Sequence, residues 1–543
     1  MDKPTGLNIS FTQNTRWSQL VMNLRHRIGL VYLPGALPCF EDFGNLPTDI
    51  VCSDALVDGK PASKILDMLI IPGGSLVESQ SVNEKVAHEI LKMADSGKFV
   101  LGICSGFQIL AKETDIGRLS TIPITREGLG LLDAEFKPLI CTDRVKATIT
   151  DKSFITSEVG KEVSGFHCHT YGQIVLRKDA RTILVTHAQR VNYHKDPQDL
   201  VSGVANKEGN VVGVFIHALL DQNPTIIQSI TNSLDINNVQ LELIRSANAK
   251  LLERIKCEIG ISTNIRQQDA VNLKTPRMLL VTATGSGSGK TFLVAGIAGA
   301  LKKKGFRVGV LKVGGDIRDA VPALYLIKEP IKGYSSIKIG ESGWKPLAEA
   351  ISEASRNHDF LLVEGAMSAF TGLLMEKAQR PTSTAEVAAA LGASTIVVVG
   401  CDKEGIEGAM VNTLNYVKVL QSLGVTVSGV ILNKARISYL TEEMKLTVKK
   451  AFENVGVELL GVVPRLEMEG RGMIPEIEIK YEEFGAQAIE ATEQYINLDA
   501  LTRIAKAPAL KQVDYGLFME KFKHLLTDYR LYAFEGGAAK TCS

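Results

Sequence analysis

The sequence has little of what marks a membrane, secreted or nucleic-acid-binding chain. No uninterrupted apolar run approaches the ~20 residues of a spanning helix. The opening stretch MDKPTGLNISFTQNTRW is polar and holds no signal-peptide core. Lys and Arg number 61 against 60 Asp and Glu, a net charge of +1, so charge makes no case for nucleic acid or an anionic membrane. The eight cysteines are scattered without a close CxxC pair. That excludes a zinc ribbon or a disulfide framework and suits a reducing cytoplasm. Short-period repeats and long low-complexity tracts are also missing. What is present is 45% apolar and 22% charged residues in a chain of 543. Those proportions are of the globular kind, at a length that holds about two to four domains.

Two glycine-rich turns organise the chain. In the first half, strand-like runs alternate with helical ones. RIGLVYLP from Arg27, TDIVCSD and ILDMLIIPGGS (Ile65 to Ser75) read as strands. A helix follows over Asn83 to Ser96, and Lys98 to Ile103 is again a short buried strand. This alternation predicts a parallel sheet covered by helices, with sites at the carboxyl ends of its strands. Gly73, Gly74 and Cys104 fall at such ends. Cys104 lies in G-I-C-S-G, where Gly102 and Gly106 would allow a sharp strand-to-helix turn of the nucleophile-elbow kind. The Gly74 and Ser105 N–H groups are candidate oxyanion donors. A base should come from far downstream. His217, at the mouth of the VVGVFIHAL strand, is one candidate; His167 and His169 in GFHCHTYGQ are the other. Two histidines without a third ligand make a poor metal site. Sharing one face of a strand, they read as substrate-site lining or surface polarity.

The ordered set PGGS, GICSGFQILA, EGLGLLDAEFKP, GFHCHTYG and GVFIHALLD resembles the glutamine amidotransferase domain of the cobyric acid synthase family over about Arg27 to Asp221. The resemblance implies that Cys104 attacks the glutamine side-chain amide, that His217 shuttles the proton, and that a glutamyl thioester and ammonia follow. Many class I amidotransferases add a glutamate two residues after the histidine. Here that position is Leu219, as in the corrinoid branch. Departures from the family pattern are Ser105 for glycine, His167 for glutamate and Ala218 for glycine.

In the second half, Ala283 to Thr291 reads ATGSGSGKT between an apolar strand and an apolar helical run. Thr284 stands where the usual phosphate-loop pattern has its first glycine. The physics is kept. Thr284, Ser286, Gly287 and Gly289 would cradle phosphates, Lys290 supplies charge near the β and γ phosphates, and Thr291 offers a hydroxyl to Mg²⁺. FRVGVLK, HDFLLVEGAM, STAEVAAALGASTIVVVG, SGVILNKA and LLGVVPR continue the strand series. Glu364 ends one of these strands, where a carboxylate can hold Mg²⁺. Asn433 ends another, in a loop suited to the adenine side.

Met278 to about Arg465 resembles the synthetase domain of cobyrinic acid a,c-diamide synthase and, more distantly, dethiobiotin synthetase. That resemblance implies Lys312 near the transferred phosphate, Asp316 and Glu364 as metal carboxylates, and Asp319, Ser383 and Thr384 facing a carboxylate substrate. Gly315, Ile317, Arg318, Ala320 and Thr371 depart from the family pattern, and its PSRHLGL-like segment is not recognisable in MIPEIEIKY, Met473 to Tyr481. The domain order is inverted relative to the named families. The expected fold is α/β, a class I glutamine amidotransferase-like domain plus a P-loop NTPase domain, both with mainly parallel sheets. The expected boundaries are an extension 1–26, the amidotransferase domain 27–235, a helical connector and linker 236–276, the synthetase domain 277–510 and a tail 511–543 with an amphipathic helix over Tyr515 to Tyr529. The connector helix would also suit a dimer arm, which leaves a homodimer open. The implied reaction is ATP- and glutamine-dependent amidation of a corrinoid or related tetrapyrrole acid, with ATP and Mg²⁺ as cofactors. The alternatives are amidation of nickel-sirohydrochlorin or a cell-envelope precursor, or a regulatory ATPase whose substrate site has decayed.

Overall fold

In a computed structural model of the protein, the described residues are 24–33, 41–75, 82–117, 120–258, 275–375, 380–436, 438, 440–467 and 479–527. Most of the expected extension, the linker after residue 259, residues 473–478 of MIPEIEIKY and the tail from 528 lie outside them. The chain divides into two compact units, the first taking Met1–Asn264 and the second most of the rest.

The first unit carries a nine-stranded sheet among the described residues. In chain order its strands are β1 (Ile28–Val31), β2 (Asp49–Val51), β3 (Met68–Ile71), β4 (Phe99–Ile103), β5 (Arg144–Ile149), β6 (Glu162–Phe166), β7 (Arg181–Val191), β8 (His194–Ala205) and β9 (Val211–Val214). Their spatial order is β6-β5-β7-β8-β9-β4-β3-β1-β2. From β9 to β2 all pairings are parallel. These strands read as short unbroken apolar runs because both of their faces are covered. From β9 to β6 every pairing is antiparallel, a wing that the β–α alternation did not announce. Helix α1 (Glu84–Asp95) begins where Asn83 accepts a hydrogen bond from the Val86 N–H, one residue inside the expected start. Helix α2 (Ser105–Leu110) follows β4 directly. Gly213 lets the Phe107 ring lie on β9: a Cβ there would stand 1.9 Å from Phe107 Cδ2.

Helix α3 (Asn238–Glu258) was expected as a connector, and the structure corrects this. Ile244, Ala247, Leu251 and Ile255 are buried in the core of the first unit. Asn248, fully buried, donates to the Pro47 carbonyl at 2.8 Å. The i, i+3, i+7, i+11 spacing of these apolar residues is one helix face, so its burial belongs to the domain and not to a free arm.

The second unit holds a wholly parallel sheet of β10 (Arg277–Ala283), β11 (Val308–Val313), β12 (Ser336–Ile337), β13 (Phe360–Glu364), β14 (Ser394–Gly400), β15 (Val427–Ala435) and β16 (Glu458–Pro464). The order is β12-β11-β13-β10-β14-β15-β16. Helix α4 (Lys290–Lys303) leaves the central strand β10 through the glycine-rich turn, and α5 (Thr384–Leu391) precedes β14. The last described helix, α6 (Tyr515–Thr527), puts Phe518 and Phe522 into this unit's core, so it packs as an amphipathic helix should. No helix among the described residues is long and apolar enough to cross a membrane.

Candidate functional sites

Strands β3, β4 and β9 are neighbours in register, Ile71 opposite Gly102 and Gly102 opposite Gly213. Their carboxyl ends therefore form one row, and Gly73, Cys104 and His217 issue from it. Cys104 has φ 51 and ψ −107, left-handed backbone that a non-glycine residue adopts at a cost of about 1–3 kcal/mol. Its N–H donates to the Val214 carbonyl at 2.8 Å and its own carbonyl accepts from the Gln108 N–H, which pins the strained turn from both sides. The flanking glycines were expected to supply the bend. They serve close packing instead. A Cβ on Gly102 would stand 2.5 Å from the Gly106 carbonyl oxygen, and one on Gly106 2.2 Å from that of Ile71. The bend sits on Cys104 itself.

Cys104 and His217 meet over Gly73. A Cβ added there would lie 2.6 Å from His217 Cε1 and 3.0 Å from Cys104 Cβ. His217 is wholly buried, exchanges backbone hydrogen bonds with Phe166 and stacks on that ring with centroids 5.2 Å apart. Cys104 Sγ lies 3.8 Å from the Cys168 carbonyl. Gly74 lies three residues beyond the end of β3, and the Ser105 hydroxyl is buried with no hydrogen-bond partner among the described residues. His167 and His169 lie just beyond β6, their rings 4.8 Å apart and both buried, so the surface-polarity reading is excluded. Burial, with His169 and His217 nearby, drives the proton affinity of His167 well below the usual imidazole range.

Sequence reasoning missed one residue here. Glu41, wholly buried, places Oε1 3.1 Å from His217 Nδ1 and accepts the Ala218 N–H on Oε2 at 3.2 Å. It lies 176 positions before His217, and no local pattern in CFEDFG announces it.

In the second unit the phosphate-type loop has the geometry its glycines allow. Gly287 and Gly289 have φ 76 and 83. Position 289 has no room for a side chain either, since a Cβ would stand 2.2 Å from Asn433 Nδ2. The loop is braced from β15 and from within. Asn433 Nδ2 donates to the Ser288 carbonyl at 2.8 Å, Lys434 Nζ to the Gly287 carbonyl at 2.6 Å, and Ser288 Oγ to the Gly285 carbonyl at 2.8 Å. The Thr284 N–H donates to Val398 at 3.3 Å, and Ser286 is exposed at the loop's crest. Asn433, expected on the adenine side, thus spends its amide on the loop itself.

Behind the loop is a buried charge cluster. Lys312 on β11 and Glu364 on β13 are register partners. Lys312 Nζ donates to Asp319 Oδ2 at 2.6 Å and to the Gly365 carbonyl at 3.1 Å, and lies 3.5 Å from Glu364 Oε1. Burial alone would lower its proton affinity, but Asp319 and Glu364 reverse that and the net shift is upward. Lys290, also largely buried, is shifted down by desolvation and by Lys312, and its Nζ reaches the Met367 carbonyl at 3.4 Å. Thr291 Oγ1 donates to Glu364 Oε1 at 2.8 Å. Burial raises the Glu364 carboxyl, and its Oε2 has no hydrogen-bond partner among the described residues. A hydroxyl beside a buried carboxylate with an unused oxygen fits a Mg²⁺ ion.

Three further expected positions already have partners within the protein. Asp316, expected as a metal carboxylate, is gripped at 2.7 Å on both oxygens by Arg318, one of the residues that departs from the family pattern. Asp319, expected to face substrate, is the ion-pair partner of Lys312. Ser383 and Thr384, also expected to face substrate, are buried. Ser383 caps α5 in a reciprocal box with Glu386, whose Oε2 accepts from Thr382 and Ser383. Thr384 Oγ1 accepts from the Ala366 N–H. S-T-A-E is a capping-box pattern, so this role could have been read from the sequence.

Comparison with known proteins follows the same division. Residues 15–225 match the CobB/CobQ-like glutamine amidotransferase domain, and residues 279–472 match the CobQ/CobB/MinD/ParA nucleotide binding domain. A cobyric acid synthase of Clostridium botulinum is 31% identical over 206 residues, which is 37% of this chain and 39% of that protein. A hydrogenobyrinate a,c-diamide synthase of Mycobacterium bovis is 31% identical over 239 residues, 42% of this chain and 50% of that one. The chain thus spans half or less of the length of these curated relatives. A solved structure of PurLQS from Thermotoga maritima is 26% identical with a TM-score of 0.29, covering 38% of this chain and 99% of that one. The chain therefore carries a CobB/CobQ-like glutamine amidotransferase domain followed by a nucleotide-binding domain of the CobQ/CobB/MinD/ParA family.

Proposed function

We propose that the protein is an ATP-dependent carboxylate–amide ligase that takes its nitrogen from glutamine. The observation that carries this is the meeting of Cys104 and His217 over Gly73, in a chain that also holds a braced phosphate-type loop. The Cys104 thiolate attacks the side-chain carbonyl carbon of glutamine, with negative charge developing on oxygen near the Gly74 and Ser105 N–H groups. His217 returns the proton to the leaving nitrogen, and ammonia departs from a glutamyl thioester. Water then releases glutamate. In the second domain a substrate carboxylate oxygen takes the γ-phosphoryl group of ATP, and ammonia displaces phosphate from the acyl phosphate to leave an amide. Lys290 and Lys312 are the buried cations available to the transferring phosphoryl group. Mg²⁺ bound by Thr291 and Glu364 would neutralise charge on the β and γ phosphates. A corrinoid or related tetrapyrrole acid is the substrate class that the relatives' names support. ATP and glutamine place such a reaction in the cytoplasm.

A second reading, amidation of a different carboxylate, has its own support. Asp319 pairs with Lys312, and Ser383 and Thr384 are buried, so the expected substrate-facing side chains are committed elsewhere. One experiment separates the readings. Cys104→Ala should abolish glutamine-dependent ADP release while ammonia-dependent release persists. Mass spectrometry of products from a panel of cobyrinic-type acids should show conversion of carboxylate to amide. If no corrinoid acid stimulates ADP release, the corrinoid assignment is wrong.

A further inference from the structure

The His217 base of a Cys–His amidotransferase needs a partner on its second nitrogen, and the position that supplies it in many such enzymes is Leu219 here. We infer that Glu41 takes over this task as the positioning residue of His217, reaching it from the far end of the chain's first domain. The inference rests on the glutaminase reading of Cys104 and His217 and deepens it.

The geometry is that of an orienting acid. Glu41 uses one oxygen on His217 Nδ1 at 3.1 Å and the other on the Ala218 N–H at 3.2 Å, so ring and following peptide are fixed together. Both side chains are completely buried, which removes water as a competitor for either nitrogen. An Nδ1–H donated to Glu41 leaves Nε2 as the nitrogen that can exchange a proton with Cys104.

The turn that carries Glu41 is built for this placement. Phe43, Gly44 and Asn45 follow it with φ of 52, 64 and 56, three successive left-handed residues. Asp221, in the short helix after His217, holds the turn by accepting the Asp42 N–H at 2.9 Å and the Gly44 N–H at 2.7 Å. Gly44 sits so close to Ile227 that a Cβ would meet Cδ1 at 2.4 Å. Backbone strain of this kind persists where surrounding structure over-determines it, and here the segment that follows His217 does so.

The electrostatics explain why an acid serves there. Burial is the main cause of a Glu41 carboxyl raised well above the usual carboxylate range, and Asp221 and Asp42 raise it further, against the Ala218 N–H. A buried carboxylate beside two other acids is costly until a cation forms next to it. His217 becomes that cation when it takes the Cys104 proton.

The test is glutaminase kinetics from pH 6 to 9 on the full chain with Glu41→Gln, Glu41→Asp and Glu41→Ala, together with ¹⁵N spectra of histidine-labelled protein. Glu41→Gln should lower kcat by about 10²–10³-fold with KM changed less than about threefold. Its acidic limb should move relative to wild type, and Glu41→Asp should recover part of the loss. In the spectra, the His217 Nδ1–H signal should be present in wild type and lost in Glu41→Ala. Wild-type kcat and an unchanged pH profile in Glu41→Gln would overturn the inference, as would a wild-type His217 signal in Glu41→Ala. A wild-type protein with no glutaminase activity would instead refute the parent reading. The spectra would then still decide whether Glu41 orients His217.

Discussion

Replacing Gly73 by alanine adds a single methyl at the point where the two halves of the candidate nucleophile pair meet. That methyl would lie 2.6 Å from His217 Cε1, 3.0 Å from Cys104 Cβ and 3.3 Å from the Ile103 carbonyl oxygen. Carbon atoms in contact settle near ~3.5–4.0 Å, so about 1 Å of separation must be found on the histidine side and about half that on the cysteine side. Neither partner yields easily. The imidazole is stacked on Phe166 and hydrogen-bonded to Glu41, and Cys104 is held at a strained φ by its own backbone bonds. Overpacking of this sort costs about 1–3 kcal/mol of stability. The catalytic cost should be larger, because a misplacement of about 1 Å loses on the order of 10²-fold in rate, or about 2.7 kcal/mol of barrier. Glutaminase kcat/KM should therefore fall about 100-fold, while ammonia-dependent ADP release stays near wild type. Gly97→Ala is the control. Its φ of 74 makes alanine strained, but nothing lies within 4 Å of the added methyl, so it should lower the melting temperature and leave glutaminase intact. Near-wild-type glutaminase in Gly73→Ala would show that Cys104 and His217 do not work across this glycine.

Two other outcomes follow from the buried groups. Glu364→Gln keeps an oxygen for the Thr291 hydroxyl but removes the charge beside it. Titration calorimetry should show ADP binding that Mg²⁺ no longer strengthens, whereas Mg²⁺ should tighten it in wild type. Burial raises the Cys401 thiol to about 11 and the Cys141 thiol to about 12. At pH 8 about 0.1% of a thiol with the Cys401 value is thiolate, so native alkylation monitored by mass spectrometry should be slow at both and should quicken as pH rises. The folded state binds these protons more tightly than the unfolded chain. Stability from this source is thus complete below about pH 9, the ordinary thiol value, and falls as pH rises through 11 to 12.

What could be read in the one-dimensional chain was what local chemistry carries. A glycine at positive φ, a lysine opening a helix and a threonine beside it mark a phosphate-type loop wherever they fall, because the turn and the helix N-terminus are made by neighbours in sequence. The cysteine turn and the unbroken apolar runs of β3, β4 and β10 were legible for the same reason. The S-T-A-E capping box was equally local, since its partners lie three residues apart. Charge pairing was out of reach. Arg318 and Asp316 are near in sequence, but whether two close charges face each other or a ligand depends on the short helical turn that carries them. The burial of helix α3 depended on which surface it met. Its apolar spacing reads alike in a dimer arm and in a core helix, and only the contact of Ile244, Leu251 and Ile255 with the first domain's core decided between them. Glu41 is the clearest case. Sequence marked a cysteine and candidate histidines at the ends of strands. Tertiary structure decided that the acid against His217 arrives from 176 residues away, because a buried imidazole takes its partner by proximity in space and not by position along the chain.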